Sequence, residues 1–371
     1  MRIVQLANFH SPTSGGLRVA ADTLRAGYVA AGHDCTLIAP GAVDAARGTV
    51  HTLRSPRVGG AGYRIIVRRR TVLALLDELR PDVLEVHDKL LQRWVWSWSR
   101  SRGVPVVAWS HERLERTLPL LLPAVPAAVL RQAAAGIARH TAGACDVLIA
   151  CSRFAADEFP PYAPVRIVRL GVDLDAFQPS TQPQPPARLR LVLAARLSPE
   201  KRPELAVDAV RALHERGVAT QLTVLGSGPR QARLAEYARG LPVRFTGHLR
   251  GGDRVAAELR AADVALAPAP AETFGLAALE ALACGTPIVA HAGAAPAELA
   301  SQHPGAGEVA SGDAAAFAAA ALRLAAIPRC TRRDAARRAA EAYPWSATIS
   351  AMLAVHAEVT SAHTPSRLRG A

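Results

Sequence analysis

Short apolar runs alternate with longer amphipathic stretches along the first half of the chain. Residues 2–7 are apolar, a polar loop follows at 8–15, and a helical pattern covers 16–31. Strands that alternate with helices build parallel sheets, so this order predicts a Rossmann-like α/β domain. Further strands of the same domain are predicted at residues 35–39, 83–86, 104–109, 147–150 and 165–170.

A second α/β series follows residues 178–188, which are rich in proline and polar residues and are predicted to be a linker. Its strands are predicted at residues 190–194, 221–225, 243–245, 264–267 and 287–290, and its helices at 204–216, 230–239, 255–261, 275–284 and 314–326. We therefore predict domains at 1–177 and 189–344, and a final helix with a tail at 345–371. Two doubly wound domains predict a cleft, with ligands at the carboxyl ends of the strands.

The composition fits two folded domains. The chain has 371 residues, and half of them are hydrophobic, which is enough for two buried cores. Five cysteines without metal-ligand spacing indicate reduced thiols in a cytosol. No apolar run reaches the roughly 18 residues of a spanning helix. The sequence therefore predicts a protein that is soluble or peripheral on a membrane.

The net charge of the chain limits the classes of molecule that it is expected to bind. A net charge of +13 suits nucleic acid, anionic lipid or phosphorylated substrates. No aromatic–basic recognition motif is present, so nucleic acid is not expected. Arg64, Arg68, Arg69 and Arg70 precede an apolar helical pattern at residues 72–79. A basic start to an amphipathic helix suits an anionic membrane surface, and the solvated face of an ordinary helix is the equal alternative.

Two loops place positive charge or backbone amides where a doubly wound domain binds ligands. Arg196 and Lys201 follow the first strand of the C-terminal domain. Cations there would neutralise the charge that develops on a diphosphate leaving group, although two solvated loop charges are the alternative. Gly15 and Gly16 precede the first helix, where amides attract anions or simply form a tight turn. Residues 11–16 match neither a dinucleotide fingerprint nor a P-loop.

The segment at residues 270–285 carries the most specific signal. Glu272 lies in the loop after a predicted strand, and Glu280 lies inside the following helix among leucines. A carboxylate on an apolar helix face requires partners, and vicinal sugar hydroxyls are suitable ones. The N–H groups of Phe274, Gly275 and Leu276 can donate to a sugar or a phosphate at the helix start. A capping glutamate and a solvated glutamate are the alternative interpretation.

These motifs together resemble the retaining glycosyltransferases of family 4, which have the GT-B fold. The resemblance is carried by Gly15-Gly16, Arg196 to Lys201, Gly226-Ser227-Gly228-Pro229, Gly247 and the double-glutamate segment. More narrowly, residues 7–18, 110–114 and 273–280 resemble actinobacterial GDP-mannose-dependent mannosyltransferases, which build phosphatidylinositol mannosides. The implied fold has two Rossmann-like doubly wound domains facing a cleft. The first is the acceptor side, the second binds the nucleotide sugar, and the last helix crosses back to the first.

The resemblance implies a role for each motif residue. Arg196 and Lys201 would hold the diphosphate beside the backbone of Gly16, and Glu280 would bind the ribose. Glu272 would bind hydroxyls of the donor sugar, and His111 would lie beside that sugar, with an ordinary loop histidine as the alternative. The remaining donor-binding residues that the resemblance implies are Gly15, Gly226, Gly228, Gly247, His248, Leu249, Phe274, Gly275 and Leu276.

The implied reaction moves mannose from GDP-mannose to a phosphatidylinositol mannoside-type glycolipid with retention of configuration. A UDP-sugar donor with another acceptor is the alternative, and a nucleotide-sugar epimerase or a basic nucleic-acid-binding protein fits the motifs less well. We expect a same-face substitution in which the donor phosphate accepts the proton of the acceptor. No tightly bound cofactor and no catalytic metal are expected. The expected location is the cytoplasm, with the protein either soluble or peripheral on the inner face of the cell membrane, and the oligomeric state stays open.

Overall fold

The computed structural model describes residues 1–10, 15–58, 63–159, 161–180, 188–249 and 251–367. Residues 11–14 of the predicted glycine loop, and 181–187 of the predicted linker, lie outside the described residues. The chain divides into two compact units. The first unit comprises Met1–Pro119, Pro123–Leu170 and Trp345–Ala371, and the second unit comprises Leu120–Leu122 and Gly171–Pro344.

The first unit is built on an eight-stranded sheet with the order β10-β9-β8-β7-β1-β2-β4-β3. The strands of this unit are β1 (Arg2–Leu6), β2 (Asp34–Gly41), β3 (Ala45–Arg47), β4 (Val50–Arg54), β5 (Arg57–Val58), β6 (Tyr63–Arg64), β7 (Val83–Val86), β8 (Val106–Ser110), β9 (Val147–Ala150) and β10 (Arg166–Ile167). Its helices before the second unit are α1 (Gly16–Ala30), α2 (Arg69–Leu79), α3 (Lys89–Arg102), α4 (Leu114–Leu121), α5 (Ala127–Gly143) and α6 (Arg153–Ala156). The pairings in the sheet are parallel except β3 with β4, and β5 with β6 forms a separate antiparallel hairpin.

The chain order of this sheet reverses between β1 and β7. After β1 the chain builds outward through β2, and it then returns to add β7 on the other side of β1. In open α/β sheets this switch point opens a crevice at the carboxyl ends of the strands, where ligands bind. The predicted strands at 83–86 and 147–150 are confirmed. The predicted strand at 104–109 begins instead at Val106, after Pro105, which has no N–H to donate to a ladder.

The second unit holds a six-stranded parallel sheet with the order β13-β12-β11-β14-β15-β16. The strands are β11 (Leu189–Ala194), β12 (Thr220–Leu225), β13 (Val243–Gly247), β14 (Val264–Ala267), β15 (Ile288–His291) and β16 (Gly307–Ala310). The helices are α7 (Pro203–Glu215), α8 (Gln231–Tyr237), α9 (Gly252–Ala261), α10 (Leu276–Ala283), α11 (Pro296–Gln302), α12 (Ala314–Ala326) and α13 (Arg329–Glu341), and a 3₁₀ turn covers Pro199–Lys201. This is the Rossmann strand order 3-2-1-4-5-6, so its switch point lies between β11 and β14.

Two helices cover one face of the second sheet. Helix α7 buries Leu205, Val210 and Leu213, and α12 buries Phe317 and Leu324 in the same core cluster. Apolar side chains at a spacing of three and four residues form one stripe of a helix, so each helix packs against the sheet along its length. The predicted bounds of α12 are confirmed. The helix begins at Ala314 because the side chain of Asp313 caps its N-terminus by accepting from the N–H of Ala316.

The final helix α14 (Trp345–Arg367) belongs to the first unit, as the fold prediction requires. It packs on α1, where Gly27 leaves room for Ile349. A Cβ atom on Gly27 would lie 2.3 Å from Cδ1 of Ile349. The Thr348 hydroxyl also donates to the carbonyl of Arg169 at 2.9 Å. The chain therefore leaves the second unit at Pro344 and ends on the first.

No single helix in the described ranges is long and apolar enough to cross a bilayer. Helices α12 and α13 meet the length and composition criteria only as a pair, with a bend of 109° between them. Of this pair, α12 contributes its apolar side chains to the core of the second unit.

We predict that Asp263→Ala destabilises the second unit by about 3–5 kcal/mol. The Asp263 carboxylate accepts from the Arg190 guanidinium at 3.0 Å and from Arg332 at 3.2 Å. Because the Arg332 side chain is only 7% exposed, removal of its carboxylate partner leaves a buried charge. Urea unfolding followed by hydrogen exchange in β11 and β14 measures the effect. Asp208→Ala, which removes a partly exposed partner of Arg211, is the control and is expected to cost under about 1 kcal/mol.

Candidate functional site

A pocket opens in the second unit at the carboxyl ends of β11 and β14. Because these strands are parallel neighbours, the loops that follow them meet at one edge of the sheet. The pocket is lined by residues of both loops and of α10 and α11, including Ala195, Lys201, Ala267, Glu272, Gly275 and Pro296. This is the switch point of the Rossmann order, where such sheets bind their ligands. Lys201, predicted to hold the diphosphate, and Glu272, predicted to bind the donor sugar, therefore line one pocket.

Lys201 and Glu272 form an ion pair inside this pocket. The Lys201 Nζ lies 2.7 Å from Oε2 of Glu272, and the side chains are 28% and 26% exposed. Burial raises the pKa of Glu272, but the Lys201 ammonium and the N–H groups of Phe274 and Gly275 outweigh it. The net pKa of Glu272 is therefore below its ordinary value. An ionised carboxylate of this kind accepts hydrogen bonds at neutral pH.

The start of α10 surrounds Glu272 with backbone donors. Gly275 adopts a left-handed conformation with φ +90°, which lets the chain turn from the loop into the helix. The N–H groups of Phe274 and Gly275 donate to the Glu272 carboxylate. The sequence predicted that these amides would donate to a ligand, whereas here they orient the glutamate. Leu276 is the first residue of the helix itself.

Arg196 lies in the loop after β11, and tight backbone packing holds this loop. The N–H of Leu197 donates to the carbonyl of Ser227 at 3.1 Å, which ties the loop to the one after β12. A Cβ atom on Gly226 would lie 2.1 Å from the carbonyl oxygen of Ala195, and one on Gly228 would lie 2.4 Å from that of Leu197. Both glycines are therefore required for the close approach of two loops, whereas the role predicted for them was donor binding. Arg196 itself is half-buried.

Glu280 lies one turn along α10 from the pocket residue Ala277 and is half-buried. Burial raises the pKa of Glu280 to about 7. Among the described residues, its carboxylate has neither a hydrogen bond nor a salt bridge. The ionised form of this carboxylate therefore lowers the stability of the folded chain, since no described residue compensates its charge. Groups of this kind are often found at functional sites, and this one lies close to the switch point.

The remaining predicted donor-binding residues of this unit follow β13. The carbonyl of Gly247 accepts from the N–H of Gly226 at 2.9 Å, so the ends of β12 and β13 are joined. Gly247 has φ +70°, His248 is exposed and Leu249 is half-buried. β13 lies two strands away from β11. These residues are outside the lining of the pocket at the switch point.

His111 and the glycines of the first helix lie in the first unit. Gly15 and Gly16 are exposed at the start of α1, and nothing in the described chain lies within 4 Å of a Cβ atom placed on Gly15. His111 follows β8 at the carboxyl edge of the first sheet, and its Nε2 lies 2.9 Å from Nδ1 of His87. His87 in turn follows β7, the strand at the switch point of this sheet.

A buried carboxylate supports this histidine pair. Glu85 is inaccessible to solvent within the otherwise apolar strand β7, and its Oε1 lies 2.8 Å from Nε2 of His87. Glu85 and His87 were not among the residues predicted for the site. A charged residue inside a short buried strand was the signal that could have found them, because such a residue requires a partner.

The four arginines proposed for a membrane surface differ in their environments. Arg64 donates to the carbonyl of Ser55, and Arg68 pairs with Asp44 at 2.6 Å. Arg69 and Arg70 are exposed at the start of α2. The apolar face of α2 is buried against the core of the first unit through Val72, Leu76 and their neighbours. Any surface for an anionic membrane therefore consists of exposed charges and not of the apolar face of this helix.

The described residues were also compared with the ligand sets that metal ions require. Within the described ranges, no group of three or more histidine, cysteine, aspartate or glutamate residues is arranged to hold a metal ion. The five cysteines, all within the described ranges, form no disulfide bond.

The chain matches known families along most of its length. Residues 14–176 match a profile described as Glycosyltransferase Family 4, and residues 188–326 match one described as Glycosyl transferases group 1. A GDP-mannose-dependent alpha-(1-6)-phosphatidylinositol dimannoside mannosyltransferase of Mycobacterium tuberculosis is 41% identical over 95% of each chain. A D-inositol 3-phosphate glycosyltransferase of Salinispora arenicola is 37% identical over 54% of this chain and 51% of the relative.

Solved structures show the same fold. Sucrose-phosphate synthase from Thermosynechococcus elongatus superposes with a TM-score of 0.81 at 19% identity, covering 97% of this chain and 99% of that one. HepE of Anabaena, solved with UDP-glucose, has a TM-score of 0.73 at 17% identity, covering 96% and 100%. At these identities the likeness concerns the fold alone. Together with the two profiles and the mycobacterial relative, it shows that this chain belongs to the family 4 glycosyltransferases of the GT-B fold.

Proposed function

We propose that this glycosyltransferase transfers mannose from GDP-mannose to a phosphatidylinositol mannoside-type glycolipid. The observation that carries the proposal is the Lys201–Glu272 pair at the switch point of the second unit. It lies in a chain that is similar along 95% of its length to a GDP-mannose-dependent mannosyltransferase. The pair offers one fixed cation and one ionised acceptor, which are the two groups that a diphosphate and a sugar require.

The ion pair suggests how the donor is bound. Phosphate oxygens attract the Lys201 ammonium away from Glu272, and the carboxylate then accepts hydrogen bonds from hydroxyls of the sugar. The N–H groups of Phe274 and Gly275 keep the pKa of Glu272 low after this exchange, so the carboxylate stays ionised. Arg196 supplies the second cation on the diphosphate. Both cations then stabilise the charge that the diphosphate gains as it departs.

The same contacts argue against Glu272 as a covalent nucleophile. A carboxylate that accepts from an ammonium and two amides has its charge stabilised, which lowers its nucleophilicity. We therefore propose a same-face substitution without a glycosyl-enzyme intermediate and without a catalytic metal. In that step the acceptor hydroxyl attacks the anomeric carbon, the bond to the phosphate oxygen breaks, and this oxygen takes the proton of the acceptor.

A transfer assay tests the function directly. Purified protein is mixed with GDP-mannose and a phosphatidylinositol mannoside in detergent micelles, and release of GDP and the mannosylated lipid are measured. Parallel reactions contain UDP-glucose, UDP-N-acetylglucosamine or excess EDTA. Transfer from GDP-mannose alone, unchanged by EDTA, is the expected result. Transfer only from a UDP-sugar would replace the donor, loss of activity restored by magnesium would refute the metal-free step, and a new nucleotide sugar without acceptor would indicate an epimerase.

We predict that Glu280→Gln stabilises the protein and weakens nucleotide binding. The pKa of Glu280 is about 7 in the folded chain, above its ordinary value of 4.5, so its ionised form costs stability at high pH. The variant is therefore expected to gain up to about 3 kcal/mol at pH 8 and nothing at pH 4. Ribose hydroxyls would lose a charged acceptor, so the Kd for GDP is expected to rise about tenfold.

Thermal unfolding at both pH values and calorimetric titration with GDP measure these effects. In the unmodified chain, GDP affinity should fall as the pH drops through about 7, because the carboxylate becomes protonated. The variant should lose this pH dependence. An unchanged Kd with an unchanged pH profile would remove Glu280 from the nucleotide site.

We also propose that exposed arginines of the first unit help the enzyme to reach its lipid acceptor at a membrane surface. Arg69→Ala with Arg70→Ala is expected to weaken binding to anionic liposomes about 30-fold, measured by co-sedimentation, since each basic residue near the surface contributes about 1 kcal/mol. Arg68→Ala is the matched control, because Arg68 is already paired with Asp44. Equal binding by the double variant and the unmodified protein would eliminate this surface.

A further inference from the structure

Four side chains surround the buried carboxylate of Glu85 in the first unit. The amide of Gln5 donates to Oε1 at 3.0 Å, and the hydroxyl of Tyr28 donates to Oε2 at 2.8 Å. The Nε2 atoms of two histidines lie equally close, with His87 at 2.8 Å from Oε1 and His356 at 3.0 Å from Oε2. Glu85 and both histidine side chains have no solvent exposure. The catalytic scheme above uses none of these groups.

An ionised carboxylate in this position requires a cation. Burial raises the pKa of Glu85, but the hydrogen bonds of His356 and His87 outweigh it and keep the pKa well below its ordinary value. Gln5 carries no charge, and burial together with the Glu85 charge raises the pKa of Tyr28 well above its ordinary value, so Tyr28 stays neutral. The compensating proton therefore belongs to one of the two histidines, since an uncompensated buried charge costs several kcal/mol.

The second nitrogen of each ring decides which histidine carries that proton. The Nδ1 of His356 is buried and has no hydrogen-bond partner among the described residues. Protonation of His356 would therefore bury an unpaired N–H, which is costly. The Nδ1 of His87 lies 2.9 Å from Nε2 of His111, an acceptor when His111 is neutral. His87 is thus the ring in which both nitrogens lie within 3 Å of an acceptor atom, Oε1 of Glu85 at 2.8 Å and Nε2 of His111 at 2.9 Å.

This assignment determines the tautomer of His111. If Nδ1 of His87 donates, Nε2 of His111 must accept, and the single proton of the neutral His111 ring lies on Nδ1. Burial, followed by the nearby His87 charge, lowers the pKa of His111 to about 3, so His111 stays neutral. The other titratable groups nearby are Cys35, whose pKa burial raises, and Lys89, which is paired with Glu158 at 2.7 Å.

We propose that Glu85 and His87 form a buried ion pair that holds His111 as the neutral Nδ1–H tautomer, and that this N–H donates to a hydroxyl oxygen of the donor sugar. The second half of the statement rests on the proposed function. Glu85 and His87 are positioning residues, which act on the substrate only through His111. The three residues lie along β7 and at the carboxyl ends of β7 and β8, beside the switch point of the first sheet. The imidazolium behind His111 polarises its ring and strengthens the donor.

Nitrogen-15 NMR of histidine side chains tests the ion pair in the ligand-free protein. Signals are assigned with His87→Gln and His111→Gln. We expect both nitrogens of His87 to be protonated at pH 7, and His111 to carry its proton on Nδ1. A neutral His87, or a proton on Nε2 of His111, would overturn the assignment whatever the protein binds.

Adding ligands then separates the two proposals. GDP-mannose is expected to shift the His111 Nδ1–H signal, and GDP is not. If both ligands bind and neither shifts this signal, the contact with the sugar is wrong. If neither GDP nor GDP-mannose binds, the proposed donor is wrong, while the ion pair is judged by the ligand-free spectrum alone.

Two variants connect the ion pair to the reaction. Glu85→Gln removes the charge, and it is expected to let His87 lose its second proton and to lower kcat about 10- to 100-fold with a smaller change in KM. Tyr28→Phe removes another donor to the same carboxylate and is the matched control, expected to keep both the imidazolium signal and kcat. Equal losses of kcat in the two variants, with His87 protonated in both, would show a merely structural role. If Glu85→Gln fails to fold, the spectrum of the unmodified protein still decides the ion pair.

Discussion

Replacing Lys201 by methionine is expected to lower kcat/KM for sugar transfer by about 10²- to 10³-fold. Removal of one preorganised donor at a developing negative charge costs about 3–4 kcal/mol in other enzymes. Lys201 lies on the pocket at the switch point of the second unit, where the departing diphosphate is proposed to gain its charge. Methionine keeps the length and most of the apolar stem of lysine, so the variant removes the ammonium with little change in packing.

The ion pair with Glu272 makes this prediction specific. Without the ammonium, Glu272 keeps two amide donors but loses its cation, so its pKa should rise. Lys201→Arg restores a charge and is expected to recover part of the activity, because the planar guanidinium reaches Glu272 in a different geometry. Steady-state kinetics of both variants, with thermal unfolding as a check on folding, give the measurement. Activity of Lys201→Met within about threefold of the unmodified enzyme would exclude a role for Lys201 in stabilising the leaving group.

Local patterns were sufficient to predict most of the fold. β7, β9, β14 and α12 were predicted with their bounds, because an apolar run between turn residues, or a capped amphipathic stretch, contains the necessary information in adjacent residues. The short strands β3 to β6 were not predicted. They are two to five residues long and mostly half-buried, so they have neither a long apolar run nor a clear alternation.

Residues of the site could be predicted only where the loop after a predicted strand itself contains a charged residue. Lys201 and Glu272 lie far apart in sequence, but each follows a predicted strand, and the parallel order brings the two loops together. The composition also singles out Lys201, because it is one of only two lysines in a chain with 44 basic residues. This feature was not used in the prediction. The Glu85 network was not predictable in this way, because its partners come from the first strand, the first helix and the last helix.

Gly226→Ala is expected to destabilise the second unit by about 4 kcal/mol or more and to abolish GDP binding at 25 °C. Gly226 has φ +126°, a conformation that residues with a side chain rarely adopt. Its added Cβ atom would lie 2.1 Å from the carbonyl oxygen of Ala195, a backbone atom that cannot move without opening the end of the sheet. The loop that would move carries Arg196.

Gly247→Ala is the matched control for this strain. The two glycines are hydrogen-bonded neighbours, and Gly247 also has a positive φ of +70°. Apart from its own chain neighbours, however, no atom of the described residues lies within 4 Å of its Cβ position. Alanine there is expected to cost only about 1–2 kcal/mol of backbone strain. Chemical unfolding monitored by hydrogen exchange in β11 and β12 separates the two variants, and GDP titration reports on the loop. Because conformation is unfavourable at both positions, a large difference in stability isolates the contact with Ala195. Equal costs at the two glycines would mean that the loop before Arg196 can move aside, and the tight approach would then not be what holds that arginine in place.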